Sequence, residues 1–249
     1  MNEAIRNVVH IGAGEARDLD ELLQHQPESI HLLEPNPEYR AHLERLSAKY
    51  DNVYFYPWAV SEFGGTRNLN IFNLPYLSSL HQPSGIQRIF PGLKQTQAVP
   101  VESYTASELI ELLGWADQED NFLLLEVAGE EFNVLKELAE QGLLRGFSRL
   151  DVWIGTSPLY VNAASQDELQ EWLEGQGYDL ASSGETDEPS QPRLSFRLNR
   201  HRLRQEAVEE ELEESKGQLR SLASEHEALK ELQASLEQAY EQLKREHEE

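Results

Sequence analysis

The chain has 249 residues, 45 acidic against 21 basic, with a formal charge of −24 and no cysteine. That length allows one sizeable domain and an appendage. The acidity opposes attraction to a phosphate backbone, so nucleic acid is not an expected partner, and the missing thiols exclude disulfides and thiolate metal sites. No Lys/Arg cluster is available to hold an anionic membrane, and no run approaches the roughly 18 apolar residues of a spanning helix. The opening MNEAIRNVVHIG lacks the apolar core of a signal peptide, so a cytoplasmic location is expected.

In chain order, NVVHI (7–11) reads as an apolar strand punctuated by Gly12 and Gly14, followed by a short helix from Asp18 to Gln24. SIHLLEP (29–35) is a second strand, and Pro37 opens a helix in which Tyr39, Leu43 and Leu46 recur at helical spacing through Lys49. NVYFYPWAV (52–60) is a third strand, and this alternation predicts an α/β fold with a parallel, doubly wound sheet. NLNIF (68–72) can add a strand. Residues 73–97, with Pro75, Pro83, Gly85, Pro91 and Gly92, read as a long loop or lid.

Regular structure then resumes with strand AVPVES (98–103), helix SELIELLG (107–114), central strand NFLLLEVA (121–128), helix EEFNVLKELAEQG (130–142) and strand SRLDVWIG (148–155). The acidic helix DELQEWLEGQG and a hairpin of YDLAS and RLSFRL, joined through GETDEPSQP, complete a first domain over 1–199. Trp153 and Trp172 are expected to pack.

Residues 200–249 change character, with proline gone and charge dominant. Val208, Leu222, Leu229, Leu236 and Leu243 fall at one heptad position, and Leu212, Leu219 and Tyr240 at its companion. Ser215, His226 and Gln233 interrupt the seam. A C-terminal coiled-coil helix of roughly 75 Å that self-associates over 203–245 is expected. The mixed companion positions do not select an oligomer size, and folding back or fraying are the alternatives.

Gly12 and Gly14 can bring backbone close to a cofactor, although Arg17 stands where the third glycine of G-x-G-x-x-G belongs. Glu34, at the end of the second strand, can accept hydrogen bonds from two ribose hydroxyls. The competing structural role is a tight glycine turn, with Glu34 and Asn36 capping the helix at Pro37.

HIGAGE (10–15), LEPNPEYRAHLERL (33–46), WAVSEFGGTRNLNI (58–71) and LLLEVAGEEFNVLKEL (123–138) resemble the class I S-adenosylmethionine-dependent methyltransferases of the FkbM type, over most of residues 7–155. The resemblance implies a class I methyltransferase-like Rossmann fold with S-adenosylmethionine as cofactor. It implies Gly12, Ala13 and Gly14 beneath the methionine and ribose, Glu34 on the ribose hydroxyls, and Trp58, Ala59 and the turn to Ser61 beside adenine. Several positions depart from that pattern: His10 stands for an acid, Ala128 for the second acid of Asp-x-Glu-Gly, Leu124 for a lysine and Gly155 for a glutamate. Glu126 and Glu131 keep their carboxylates.

Methyl transfer to a hydroxyl needs an aligned acceptor and a destination for its proton. His10, Glu126 and Glu131 are the catalytic candidates; Glu131 equally suits the N-terminal dipole of its helix. Tyr76, Ser79 and His81 are candidate contacts to a polar acceptor, a saccharide or related small molecule. No spacing compels a metal site. The rival is a noncatalytic adaptor that keeps the fold and uses its acidic helix to assemble with itself or to position a protein partner, motivated by Ala128 and Gly155.

Overall fold

Seven strands form one sheet in the order β3-β2-β1-β7-β8-β10-β9, and three more form a second sheet, β4-β6-β5, in a computed structural model that describes residues 5–184 and 190–248. The large sheet uses β1 (Asn7–Ile11), β2 (Ser29–Leu33), β3 (Val53–Tyr56), β7 (Asn121–Leu125), β8 (Phe147–Trp153), β9 (Tyr178–Gly184) and β10 (Arg193–Leu198). The pairs β1/β2, β2/β3, β1/β7 and β7/β8 are parallel, whereas β10 runs antiparallel to both β8 and β9. The terminal hairpin is therefore present, with residues 185–189 of its connection outside the described residues.

β1 and β7 are buried along their whole length because both faces of the sheet are covered. On one face Val9, Ile11, Leu123 and Leu125 pack with Leu109 of α4 (Ala106–Leu113), Leu135 of α5 (Glu131–Glu140) and Leu169 of α6 (Gln166–Gly175). On the other, Val8, Ile30, Leu32 and Leu124 pack with Leu22 of α1 (Leu19–Gln24) and Leu43 of α2 (Pro37–Lys49). Helix starts follow local chemistry: Thr105 and Ser165 each close a capping box, with Glu108 and Glu168 respectively, and Asn36 accepts from Glu38 N–H at 3.1 Å. The result is a Rossmann-like mixed sheet with flanking helices.

Two regions depart from the sequence expectation. The single strand expected over 52–60 is two, because Pro57 separates β3 from β4 (Trp58–Val60); proline lacks the N–H a ladder needs. β4 instead pairs in parallel with β6 (Gln95–Tyr104), which also pairs antiparallel with β5 (Gly65–Phe72). Nor is the segment read as a loop or lid structureless. Leu77, the short helix α3 (Ile86–Ile89) through Ile86, and Leu93 form a small apolar cluster with Phe72, Leu159 and Tyr160. The Tyr160 hydroxyl donates to Leu77 C=O at 2.9 Å, and Ser84 and Ile86 N–H both donate to Leu159 C=O at 3.0 Å. Residues 73–94 thus form a packed cap over the 155–163 loop.

The chain divides into two units, Met1–Asn199 and Arg200–Glu249. The second is one helix, α7 (Arg200–Glu248). Among the described residues no helix is long and apolar enough to cross a membrane.

Candidate functional site

The strand order reverses between β1 and β7, since β2 and β3 extend to one side of β1 and β8 to the other side of β7. At such a switch point the loops leaving the carboxyl ends diverge and open a crevice, where ligands of open α/β sheets bind. Gly12, Ala13, Gly14, Glu34 and Glu126 all follow the carboxyl ends of β1, β2 or β7.

Gly12 has φ of +80°, and a Cβ there would stand 2.0 Å from the Glu126 carbonyl oxygen, so only glycine lets the β1 turn lie against the end of β7. Gly12 and Ala13 N–H both donate to Leu33 C=O at 2.9 Å. A Cβ on Gly14 would meet nothing within 4 Å. This side of the turn is open.

Glu34 lies beneath that turn, 8% exposed, accepting from Gly14 N–H and from Asn36 N–H, each at 2.7 Å. It therefore braces the glycine turn, while Asn36 caps α2. Burial pushes its carboxyl up to about 7, against the lowering effect of the Asn36 and Gly14 bonds. Glu126 keeps 46% of its side-chain surface accessible, yet desolvation by the surrounding protein raises its pKa to about 7, with Asp18 and Glu34 adding to the rise. Two neighbouring carboxylates thus act on Glu126 at the switch point. Arg17, paired with Glu15 at 2.9 Å, and then Arg193 act against that rise at Glu126; Arg193 bonds the fully buried Asp151 with Nε at 2.9 Å and also pairs with Asp18 at 3.6 Å.

His10 is 1% exposed, on the α1 face of β1, with its ring stacked 6.3 Å from that of Trp153. Neither ring nitrogen has a hydrogen-bond partner, and Nε2 is 3.9 Å from a Glu126 carboxylate oxygen. Burial first, then Arg193, lowers its pKa to about 3. The imidazole is neutral at neutral pH and poorly suited to take a proton from an acceptor. Glu131 is 5% exposed, with both oxygens on Gly129 N–H at 3.1 and 3.0 Å, and burial raises it to about 7.

The cap reaches the same end of β7. Ser79 Oγ donates to Ala128 C=O at 2.6 Å, and His81 Nε2 lies 2.8 Å from Glu130 Oε1. Burial alone would raise Glu130, but the His81 and Asn133 bonds outweigh it and leave its pKa below the usual value. Ser79 and His81 are engaged with protein, whereas Tyr76 is 58% exposed. Trp58 and Ala59 belong to the small sheet, where Trp58 stacks on Tyr56 and lies tilted against Tyr104, the ring centroids 4.7 Å apart in each case. Glu34 N–H donates to Tyr56 C=O at 3.1 Å, which puts Trp58 two residues beyond Glu34's neighbour.

Gly155, where the related pattern keeps a glutamate, has no room for a side chain: a Cβ would stand 2.5 Å from Ser157 C=O and 2.6 Å from Leu159 Cγ. A cavity beside it, between Gly129, Glu131 and Tyr160, holds about 10 Å³, too little for a small molecule.

The buried Asp151, joined also by Arg149 Nη2 at 3.0 Å, was not singled out from sequence. Its signal was an acid alternating with apolar residues in RLDVW, with Arg149 two residues earlier on the same face. The Ser79 and His81 contacts have no such local signal.

No protein-family model matches the sequence, and no curated protein does. Among solved structures, the chain is similar to the methyltransferase FkbM of Methylobacillus flagellatus KT, at 12% identity and a TM-score of 0.47, covering 78% of this chain and 44% of that one. It is similar to the Methanococcus jannaschii fibrillarin pre-rRNA processing protein at 11% identity and a TM-score of 0.45, covering 79% and 68%. Similarity to M. capricolum TrmK, solved with S-adenosyl-homocysteine, is at 9% identity and a TM-score of 0.41, covering 78% and 62%. The chain spans less than half the length of the first of these.

Proposed function

We propose that residues 1–199 bind S-adenosylmethionine at the β1/β7 switch point and transfer its methyl group to a hydroxyl of a saccharide or related small molecule. The observation that carries this reading is the partly accessible Glu126, whose pKa Asp18 and Glu34 help to raise, at the carboxyl end of β7 beside an open glycine turn. The repulsion that Glu126 feels from Asp18 and Glu34 is relieved by a cation, so this strand end favours a sulfonium and an ammonium over the phosphates of a dinucleotide. The orphaned Nε2 of His10, 3.9 Å from Glu126, adds a buried polar atom without a partner at the same place.

The cofactor supplies an electrophilic methyl group. The chain's part is to orient the acceptor and take its proton, and Glu126 is the group suited to that: partly accessible, with a pKa near 7, where a general base works best. Glu131 holds the loop that carries Ala128 and Gly129, and His10 serves as a neutral neighbour of Glu126. In a transfer assay with labelled cofactor and a panel of sugar and phenol acceptors, activity rises with pH through about 7, and Glu126→Gln lowers kcat at least ~10²-fold. An unchanged kcat in the variant removes Glu126 from this role.

A second reading, the noncatalytic adaptor, is favoured by the contacts of Ser79 and His81 with Ala128 and Glu130, which close the β7 end against the cap. It predicts cofactor binding without transfer to any acceptor tried. Reproducible transfer that is lost in Glu126→Gln rejects it.

A further inference from the structure

We infer that α7 pairs with α7 of a second copy of this chain as a parallel, in-register, two-stranded coiled coil. The helix exposes its whole apolar stripe, from Leu212 at 51% to Leu236 at 69% accessible. That stripe runs through the heptad positions conventionally lettered a (Leu212, Leu219, Tyr240) and d (Val208, Leu222, Leu229). Such a face on a 49-residue helix needs a partner along its length.

Two observations select a second copy in this orientation. In a parallel pair a g residue meets the e residue five places further along the other helix. Arg204, Glu211 and Glu225 occupy g positions, and the residues five further on are Glu209, Lys216 and Lys230. All three pairs are of opposite sign. At the remaining g-to-e steps Gln218 meets Ala223, Leu232 meets Glu237 and Ala239 meets Lys244, so no like charges face each other. Lys216 and Lys230 also bond Glu213 and Glu227 of their own helix, at 2.6 and 3.7 Å, while remaining 45% and 60% exposed.

The core layers agree. In register, Ser215, His226 and Gln233 each meet their own counterpart, and the leucines at 222, 229, 236 and 243 meet leucine. Polar side chains thereby pair with polar ones rather than each burying against an apolar residue, and such layers fix register.

The test uses the full chain. Size-exclusion chromatography with light scattering should give twice the 28.5 kDa chain mass at micromolar concentration. Because the chain has no cysteine, Leu243→Cys places a single thiol in the seam, and mild oxidation should link most chains into covalent dimers. Lys216→Glu with Lys230→Glu should weaken the dimer about tenfold, as four interhelical contacts become repulsive. Glu211→Lys with Glu225→Lys should do the same, and mixing the two variants should restore assembly as a heterodimer. Tryptophan fluorescence confirms that the first unit stays folded in each variant. A monomeric wild-type chain up to ~100 μM, a dimer in which Leu243→Cys does not cross-link, or charge variants that fail to complement each other would each overturn the inference.

Discussion

Replacing Glu131 with glutamine should stabilise the first unit at alkaline pH and cost it about 1 kcal/mol at acid pH. Glu131 is 5% exposed and its pKa rises from 4.5 to about 7, foremost through burial. Below pH 4.5 the carboxyl is protonated in the folded and unfolded chain alike. Between 4.5 and about 7 the unfolded chain releases the proton while the folded one keeps it, so stability falls as pH rises. Above 7 the full cost applies, roughly 3 kcal/mol at about 1.4 kcal/mol per pKa unit. Glutamine cannot ionise and retains one oxygen for Gly129 N–H; losing the second oxygen costs about 1 kcal/mol. The variant should therefore exceed the wild type by about 2 kcal/mol at pH 8 and fall about 1 kcal/mol below it at pH 4.5. Urea unfolding followed by tryptophan fluorescence measures this cleanly, because Trp58, Trp115, Trp153 and Trp172 all lie in the first unit. If Glu131→Gln were less stable than wild type at pH 8, the α5 dipole and Gly129 N–H would be holding an ionised carboxylate, and the assignment of burial as the dominant effect would be refuted.

Gly155→Ala should cost about 1–3 kcal/mol, since its Cβ would overlap Ser157 C=O and Leu159 Cγ; an unchanged urea midpoint would show that the loop yields freely. His10→Leu should stay within about 1 kcal/mol of wild type or gain slightly, because both ring nitrogens are buried without partners. A loss above ~2 kcal/mol would reveal a hydrogen bond that the imidazole makes in solution.

The main sheet was legible because β1, β2 and β7 are largely apolar runs and β8 alternates apolar with polar residues, all separated by helical periodicity and glycine or proline punctuation, each signal contained within about ten residues. The switch-point residues were legible for the same reason: Gly12, Gly14, Glu34 and Glu126 sit where strands end, and topology alone brings strand ends together. What failed was non-local. Pro57 breaks a strand, but nothing in WAV states that its partner is β6, some 40 residues on. The cap's burial depends on Leu159 and Tyr160, about 80 residues from Leu77, so a window over 73–97 saw only prolines and glycines. The chemistry of Glu34 was half legible. Its position at the end of β2 was readable, but its bonds to Gly14 and Asn36 N–H arise only when two turns meet. His10 illustrates the reverse limit: an ordinary imidazole suits proton transfer, and burial against Arg193 removes that capacity.

Binding of a cationic cofactor by the carboxylates at the β1/β7 mouth is measured most directly by calorimetric titration of the full chain with S-adenosylmethionine and S-adenosylhomocysteine. Both should bind, and the preference for the sulfonium over the neutral thioether should grow from pH 6 to pH 7.5 as Glu126 ionises from its pKa of about 7. Glu126→Gln should reduce that growth, leaving the part due to Glu34, whose pKa is also about 7. No detectable heat with either ligand at ~100 μM protein, from a chain folded by tryptophan fluorescence, would contradict the account.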